Sequence, residues 1–145
     1  MILRLLLALT FVLACFAAEG QARRPLDVDA IMRAKAATDN ALFLTARGAD
    51  LQSGISKYEA DAIAKLYFAT YIVGCGTAYG AADEGAVWKV TPLIGVAAVP
   101  DKSPIIINKH SGAISWGDGP AFASLAKFLS EISRIRSELH KGVER

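Results

Sequence analysis

The sequence predicts an α+β fold, a single domain in which N-terminal helices and a C-terminal helix pack on a mainly antiparallel sheet. Three observations lead to this prediction. Residues 27 to 74 show helical spacing and helix caps, residues 86 to 116 show short apolar strands separated by Gly and Pro, and residues 120 to 139 repeat apolar side chains at helical intervals. Helices on both sides of a run of strands are typical of this class.

Two helices are predicted before the strands. The first begins at Asp27, which can cap its N-terminus, and ends before Gly48. The second begins with a capping box, in which Ser56 is followed three residues later by Glu59, and is expected to continue to Gly74. A glycine-rich turn is expected to follow it.

Four strands are predicted in the middle of the chain. Residues 86 to 90 alternate between apolar and polar positions, and residues 93 to 99 form a second apolar run that contains a glycine. Residues 104 to 108 and 113 to 116 are separated by a four-residue turn ending in Gly112. Because glycine adopts the positive φ that a tight turn needs, these two strands are predicted to form a hairpin.

The last predicted element is an amphipathic helix. Pro120 follows Asp118 and Gly119 and is expected in the first helical turn, where a missing N–H costs nothing. Asp118 then serves as a candidate cap. The apolar positions that recur at helical spacing are expected to face the sheet, and they are Phe122, Leu125, Leu129, Ile132 and Leu139.

The first residues of the chain predict export. Arg4 precedes an uncharged apolar stretch, residues 5 to 18, which as a helix would be about 21 Å long and so shorter than the roughly 30 Å hydrocarbon core of a bilayer. Small residues near Ala22 suit a signal peptidase. We therefore expect residues 1 to 22 to be a secretory signal peptide, residues 23 to 145 to be the mature domain, and the periplasm to be its location.

Two further membrane possibilities follow from the same region and from the second helix. Cys15 follows a small residue after an apolar run, so a lipoprotein signal with a lipid anchor at Cys15 is the alternative to simple cleavage. Residues 66 to 82 carry no charge but contain glycines, threonines and tyrosines. A buried helix followed by a glycine-rich turn is therefore expected there, and no stable membrane span.

Composition and motifs exclude several classes of function. The 16 Lys and Arg residues nearly balance the 14 Asp and Glu residues, so no basic field for nucleic acid is expected. The two histidines, His110 and His140, have no Cys or carboxylate at a metal-ligand spacing, and no phosphate-binding loop is present. We predict no metal, no cofactor and no enzymatic activity.

The enzyme hypothesis that stays open is a thiol hydrolase. It would use Cys75 as nucleophile, His110 as base, and Asp83 or Asp118 to orient the imidazole. Cys75 lacks a nucleophile motif and lies in an apolar segment, so it is predicted to be buried as a small apolar side chain.

One block of the chain resembles a known group of proteins. Trp88-x-Val90, the run 104 to 109 and the segment 111 to 114 are similar to the ending of small bacterial immunity proteins, including those with a nuclear-transport-factor-2-like fold. The similarity extends over residues 62 to 119. It implies a protein that binds and neutralises a toxin, and for an exported chain a toxin that acts in the periplasm, typically on peptidoglycan.

The candidate partner-binding residues are Lys109, His110, Trp116 and Asp118, at or beside the predicted hairpin. Aromatic and charged side chains on turns held by a sheet are typical anchors of protein interfaces. Lys109 and His110 as ordinary turn residues, Trp116 as part of the core and Asp118 as a helix cap are the alternatives. A different class also stays open, a periplasmic accessory or small-ligand-binding module that uses a cavity under a curved sheet.

Overall fold

The computed structural model describes residues 27–95, 99–100 and 103–143. The predicted signal peptide, residues 1 to 22, and Cys15 within it lie outside the described residues. The chain divides into two compact units, and of the described residues 27 to 34 belong to the first and those from Lys35 onward to the second.

The described chain contains three helices and seven strands. In order they are α1 (Val28–Arg47), α2 (Lys57–Tyr71), β1 (Gly76–Ala78), β2 (Ala82–Glu84), β3 (Val87–Val90), β4 (Pro92–Ile94), β5 (Val99–Pro100), β6 (Ile105–Asn108), β7 (Ile114–Ser115) and α3 (Leu125–Val143). The strands form a three-stranded sheet in the order β1-β4-β5 and a four-stranded sheet in the order β2-β3-β6-β7, and all neighbouring strands are antiparallel. The predicted α+β class is confirmed.

The predicted hairpin between β6 and β7 is confirmed in its register. Ile107 lies opposite Ile114, and the N–H of Asn108 donates to the carbonyl oxygen of Ala113 at 2.9 Å. Gly112 has φ of +63°, the left-handed value that the turn requires. A side chain there would also collide with α3, because an added Cβ would lie 2.6 Å from Cβ of Leu125.

Helix α2 lies at the centre of the core. Its N-terminus has the predicted capping box, in which the Ser56 side chain accepts from the N–H of Glu59 and the Glu59 side chain accepts from the N–H of Ser56. The helix contacts β1, β3 and β6. Its Tyr67 ring also lies 6.1 Å from the ring of Phe128 on α3. The largest fully buried side chains are Tyr67, Phe128, Ile55, Ile63, Ile105, Ile107, Ile114, Val90 and Pro92.

The segment after α2 differs from the prediction. The helix ends at Tyr71, and Ile72 is already extended, with φ of −100° and ψ of 115°. Strands β1 and β2 then occupy the region where only a turn was expected, since strands of three residues are too short to show an alternating pattern. Cys75 is exposed, so its predicted burial is wrong: it lies in the short segment between the end of α2 and the start of β1.

Helix α3 also begins later than predicted. Pro120 is not in its first turn, because residues 117 to 124 are not helical: they form turns and bends around Phe122, which makes an antiparallel bridge with Ile114 with N–H to carbonyl distances of 2.9 and 2.8 Å. Ser124 caps the helix, its hydroxyl accepting from the N–H of Lys127 at 3.3 Å. Asp118 is therefore not the cap of this helix.

No helix in the described parts of the chain has both the length and the apolar character needed to cross a membrane.

Candidate partner-binding surface

Three loops meet at one end of the four-stranded sheet. The β2–β3 turn lies beside the β6–β7 turn because Val87 is opposite Asn108, and the N–H of Lys109 donates to the carbonyl oxygen of Ala86 at 3.0 Å. The α1–α2 loop joins them through the N–H of Ile55, which donates to the carbonyl oxygen of Lys109 at 2.8 Å. We call residues 50–55, 84–87 and 109–112 together the three-loop surface.

The Lys109 side chain folds back onto the sheet. Its ammonium lies 4.3 Å from the centroid of the Trp88 ring and its Nζ lies 2.6 Å from Oδ1 of Asp83. Only 15 % of the side chain is exposed. Lys109 is therefore held against the sheet and does not project from the turn, because the ring face and the carboxylate attract the cation.

Trp88, on β3, holds the α1–α2 loop through a hydrogen bond. The ring is buried, and its Nε1–H donates to the carbonyl oxygen of Ile55 at 2.6 Å. Trp88 was predicted as a strand residue and as part of the block that resembles immunity proteins, and its role in holding the loop was missed. The partner lies 33 positions earlier in the chain, so no local pattern reveals it.

His110 is exposed and rests on the α1–α2 loop. Its Nδ1 lies 3.3 Å from the carbonyl oxygen of Leu51 and donates to it when that nitrogen carries the proton. Its ring also lies against Gly54, where an added Cβ would come within 3.2 Å of Cε1. The side chain of Asn108 accepts from the N–H groups of His110 and Ser111, which fixes the turn below the imidazole.

Asp50 closes the α1–α2 loop on itself. Its carboxylate accepts from the Ser53 hydroxyl at 2.7 Å and from the N–H of Gln52 at 2.8 Å. These hydrogen bonds, that of Ser53 foremost, lower the pKa of Asp50 below its ordinary value. The loop therefore presents an ionised carboxylate beside the imidazole-bearing turn.

Trp116 and Asp118 lie at the opposite end of the β6–β7 pair. A Cβ added to Gly117 would lie 2.7 Å from Oγ of Ser103, which places this turn beside the start of β6. Trp116 is half-buried and packs against the hydrophobic core, and Asp118 is exposed. The structure thus brings Lys109 and His110 together and keeps Trp116 and Asp118 apart from them.

The thiol-hydrolase arrangement is not assembled. His110 lies at the N-terminal end of α2, whereas Cys75 follows its C-terminal end, where the neighbouring Gly76 lies against Phe68. A helix of 15 residues, about 22 Å long, separates the two ends. Asp83 accepts from Lys109 and not from an imidazole. Among the described residues there is also no group of three or more potential metal ligands.

Two grooves lie on the helical side of the molecule. One, of about 430 Å³, has Phe68 and Ile72 among its lining residues. The other, of about 290 Å³, lies between α2 and α3 and is lined in part by Leu66 and Ile132. The Lys35–Asp39 ion pair of α1 borders both grooves, with Nζ to Oδ2 at 2.6 Å. Both volumes are close to the lower limit of small-molecule sites.

Comparison with protein-family models, with curated proteins and with solved structures gives no match to this chain. The similarity of residues 62 to 119 to bacterial immunity proteins therefore stays a prediction.

Proposed function

We propose that this protein is an exported, non-enzymatic immunity-type protein that binds and neutralises a toxin acting in the periplasm, such as a peptidoglycan-degrading effector of a competing bacterium. The observation that carries the proposal is the three-loop surface, in which exposed His110 and Asp50 stand on loops already fixed by hydrogen bonds. An inhibitor needs such a surface and no catalytic group.

The rigidity of these loops supports a binding role. Ordering a flexible loop on association costs about 0.5–1.5 kcal/mol for each immobilised side chain, so loops that are ordered beforehand bind more tightly. The α1–α2 loop is held at Ile55 by both the Lys109 carbonyl and the Trp88 indole. Tyr58, 73 % exposed in the first turn of α2 directly after this loop, adds an aromatic side chain of the type enriched in binding hot spots.

The proposal is tested genetically in the native host. We expect deletion of this gene to abolish viability when an intact toxin gene lies beside it, and deletion of that toxin gene to restore viability. Complementation with the full chain should protect, and the same chain lacking residues 1 to 22 should not, because the toxin acts outside the cytoplasm. Unchanged viability of the single deletion under conditions in which the toxin is produced would contradict the proposal.

The binding surface is tested with His110→Ala and a matched control, Asp118→Ala, from the opposite end of the β6–β7 pair. Both residues are exposed, so each change should alter the free energy of unfolding by less than about 0.5 kcal/mol. Loss of an interface anchor costs about 2 kcal/mol in binding, roughly thirtyfold in affinity for the purified toxin. Only His110→Ala should show this loss. If both variants bind the toxin with wild-type affinity, the interface lies elsewhere on the molecule.

The grooves on the helical side favour a second candidate, a periplasmic accessory module that binds a small apolar ligand. Native mass spectrometry of the chain purified from the periplasm separates the two candidates. A complex with a second protein supports the immunity proposal, whereas an added mass of a few hundred daltons, removed by organic extraction, supports the ligand-binding module.

A further inference from the structure

We infer that Lys109 is a positioning residue of the three-loop surface, which holds the loops in the arrangement that a partner recognises and does not itself contact the partner. The identification of the surface as a binding site rests on the proposed function. The arrangement of the loops around Lys109 is tested on the free protein.

The ammonium of Lys109 has little left to offer a partner. Its charge is already paired with the carboxylate of Asp83 at 2.6 Å, and it lies over the face of the Trp88 ring, 4.3 Å from the centroid. With 15 % of its side chain exposed, Lys109 would have to break both contacts to form an ion pair across an interface. Breaking an existing pair to form another brings little net gain in affinity.

Lys109 contacts all three loops at once. Its side chain reaches β2 and β3 through Asp83 and Trp88, its N–H donates to Ala86 in the β2–β3 turn, and its carbonyl accepts from Ile55 in the α1–α2 loop. Lys109 thereby joins its own turn to both neighbouring loops.

The contacts also form a closed ring. The Lys109 ammonium lies on the Trp88 ring, the Trp88 indole N–H donates to the Ile55 carbonyl, and the Ile55 N–H donates to the Lys109 carbonyl. Ile55 is thus bonded on both sides of its backbone by one lysine and one tryptophan. Removing the ammonium breaks this closed set of contacts at Trp88. The α1–α2 loop, on which His110 rests, then loses part of its support.

The test is hydrogen exchange of backbone amides in the free protein. Lys109→Met keeps an alkyl stem of similar length and removes the charge. We expect the amides of Ile55 and Lys109 to exchange roughly tenfold faster in this variant. The amides of Ile114 and Phe122, which donate to each other's carbonyl oxygens and contact none of the three loops through those bonds, should be unchanged. Lys109→Arg should restore slow exchange, because a guanidinium keeps the ion pair and stacks on an aromatic ring.

The matched control is Lys35→Met, which removes a lysine with the same 2.6 Å distance to an aspartate but lies in α1. It should leave exchange at Ile55 unchanged. If Lys109→Met does not fold, Asp83→Asn weakens the hold on the ammonium while keeping the lysine, and it should accelerate the same two amides to a smaller extent. Wild-type exchange at Ile55 in a folded Lys109→Met or Asp83→Asn variant would overturn the inference.

Binding measurements separate the remaining roles. A positioning residue predicts faster loop exchange together with weaker toxin binding, both restored by Lys109→Arg. Weaker binding with unchanged exchange would make Lys109 a direct contact, and faster exchange at Ile114 and Phe122 as well would make it a residue of general stability; either result overturns the inference. If loop exchange is faster in Lys109→Met but no toxin gene lies beside this gene, the proposed function is refuted, whereas the role of Lys109 in positioning the loops is supported.

Discussion

The two ends of the β6–β7 hairpin are held by different forces. At the Lys109 end, polar groups of three loops bond each other's backbones, with an ion pair and a cation–π contact in the centre. At the Trp116 end, aromatic rings pack on the core and a single Tyr67 hydroxyl donates to the carbonyl oxygen of Pro120 at 2.8 Å. The difference teaches that the two ends of one hairpin can be held by different interactions, polar groups and backbone bonds at one end and aromatic packing on the core at the other.

The contrast depends on what lies under each turn. Lys109 finds a carboxylate and a ring face on neighbouring strands, so a residue expected to be solvated is drawn in. Trp116, expected to be in the core or at an interface, is half-buried, and its Nε1 has no hydrogen-bond partner among the described residues. At these two turns, the exposure of a side chain therefore depends more on the side chains of the elements beneath it than on the sequence of the turn.

The largest expected effect comes from removing one tryptophan from each end. Trp88→Ala should cost about 3–5 kcal/mol of unfolding free energy, because the ring is buried and its indole N–H is bonded. Trp116→Ala should cost less than about 3 kcal/mol, since that ring is partly exposed and its N–H is unbonded within the described chain. Urea unfolding of both variants measures the difference. A greater loss for Trp116→Ala would reverse the comparison.

A smaller effect is expected from removing one hydrogen bond at each end. Trp88→Phe keeps most of the ring but leaves the buried Ile55 carbonyl without its donor, which should cost about 1–3 kcal/mol. Tyr67→Phe removes the donor to the carbonyl oxygen of Pro120, an exposed residue, and should cost about 0.5–1.5 kcal/mol. Burial raises the pKa of Tyr67 to about 12, so its hydroxyl stays protonated and donates at any pH used for the measurement.

Thermal unfolding of the two phenylalanine variants provides the comparison, and the amide of Ile55 provides a control. Exchange at Ile55 should accelerate in Trp88→Phe only. If Tyr67→Phe has the same effect on that amide, the two ends are coupled through α2 and are not held independently.

The sequence predicts what depends on local pattern. Helix α1, the capping box of α2 and the register of the β6–β7 hairpin were all predicted correctly, because caps, periodicity and a glycine with positive φ are encoded within a few residues. The start of α3 was predicted too early, because the bridge between Ile114 and Phe122 joins residues that no helical or strand pattern connects.

The candidate site was only partly accessible to the same reasoning. His110 was found as a turn residue, and the structure keeps it exposed. The partners that fix its surroundings, Trp88 and Asp83, are 22 and 27 positions away in the chain, and their approach follows from the pairing of β2, β3 and β6. Non-local contacts of this kind depend on topology, so a single sequence does not reveal them.

The smallest expected effect concerns the pH dependence of the Lys109 end. The Lys109 hydrogen bond, and after it the N–H of Gly85, lower the pKa of Asp83 from its ordinary value of 3.8. A carboxyl whose pKa is lower in the folded than in the unfolded state adds stability above the unfolded value, and this stability is lost as the pH falls through the folded value. The contribution is small because 58 % of the Asp83 side chain is exposed and water screens the pair.

We therefore expect carboxyl NMR titration to give Asp83 a pKa below 3.8, and Lys109→Met to raise it partway back, since the Gly85 N–H still favours the ionised form. Protonation of Asp83 should also shift the indole resonance of Trp88, because the ammonium that shares Asp83 lies on that ring. The indole of Trp116, at the other end of the hairpin, should not follow this titration. A pKa of Asp83 at or above 3.8 in the wild-type chain would mean that the ion pair does not persist in solution, and the Lys109 end would then be held by the indole and backbone hydrogen bonds alone.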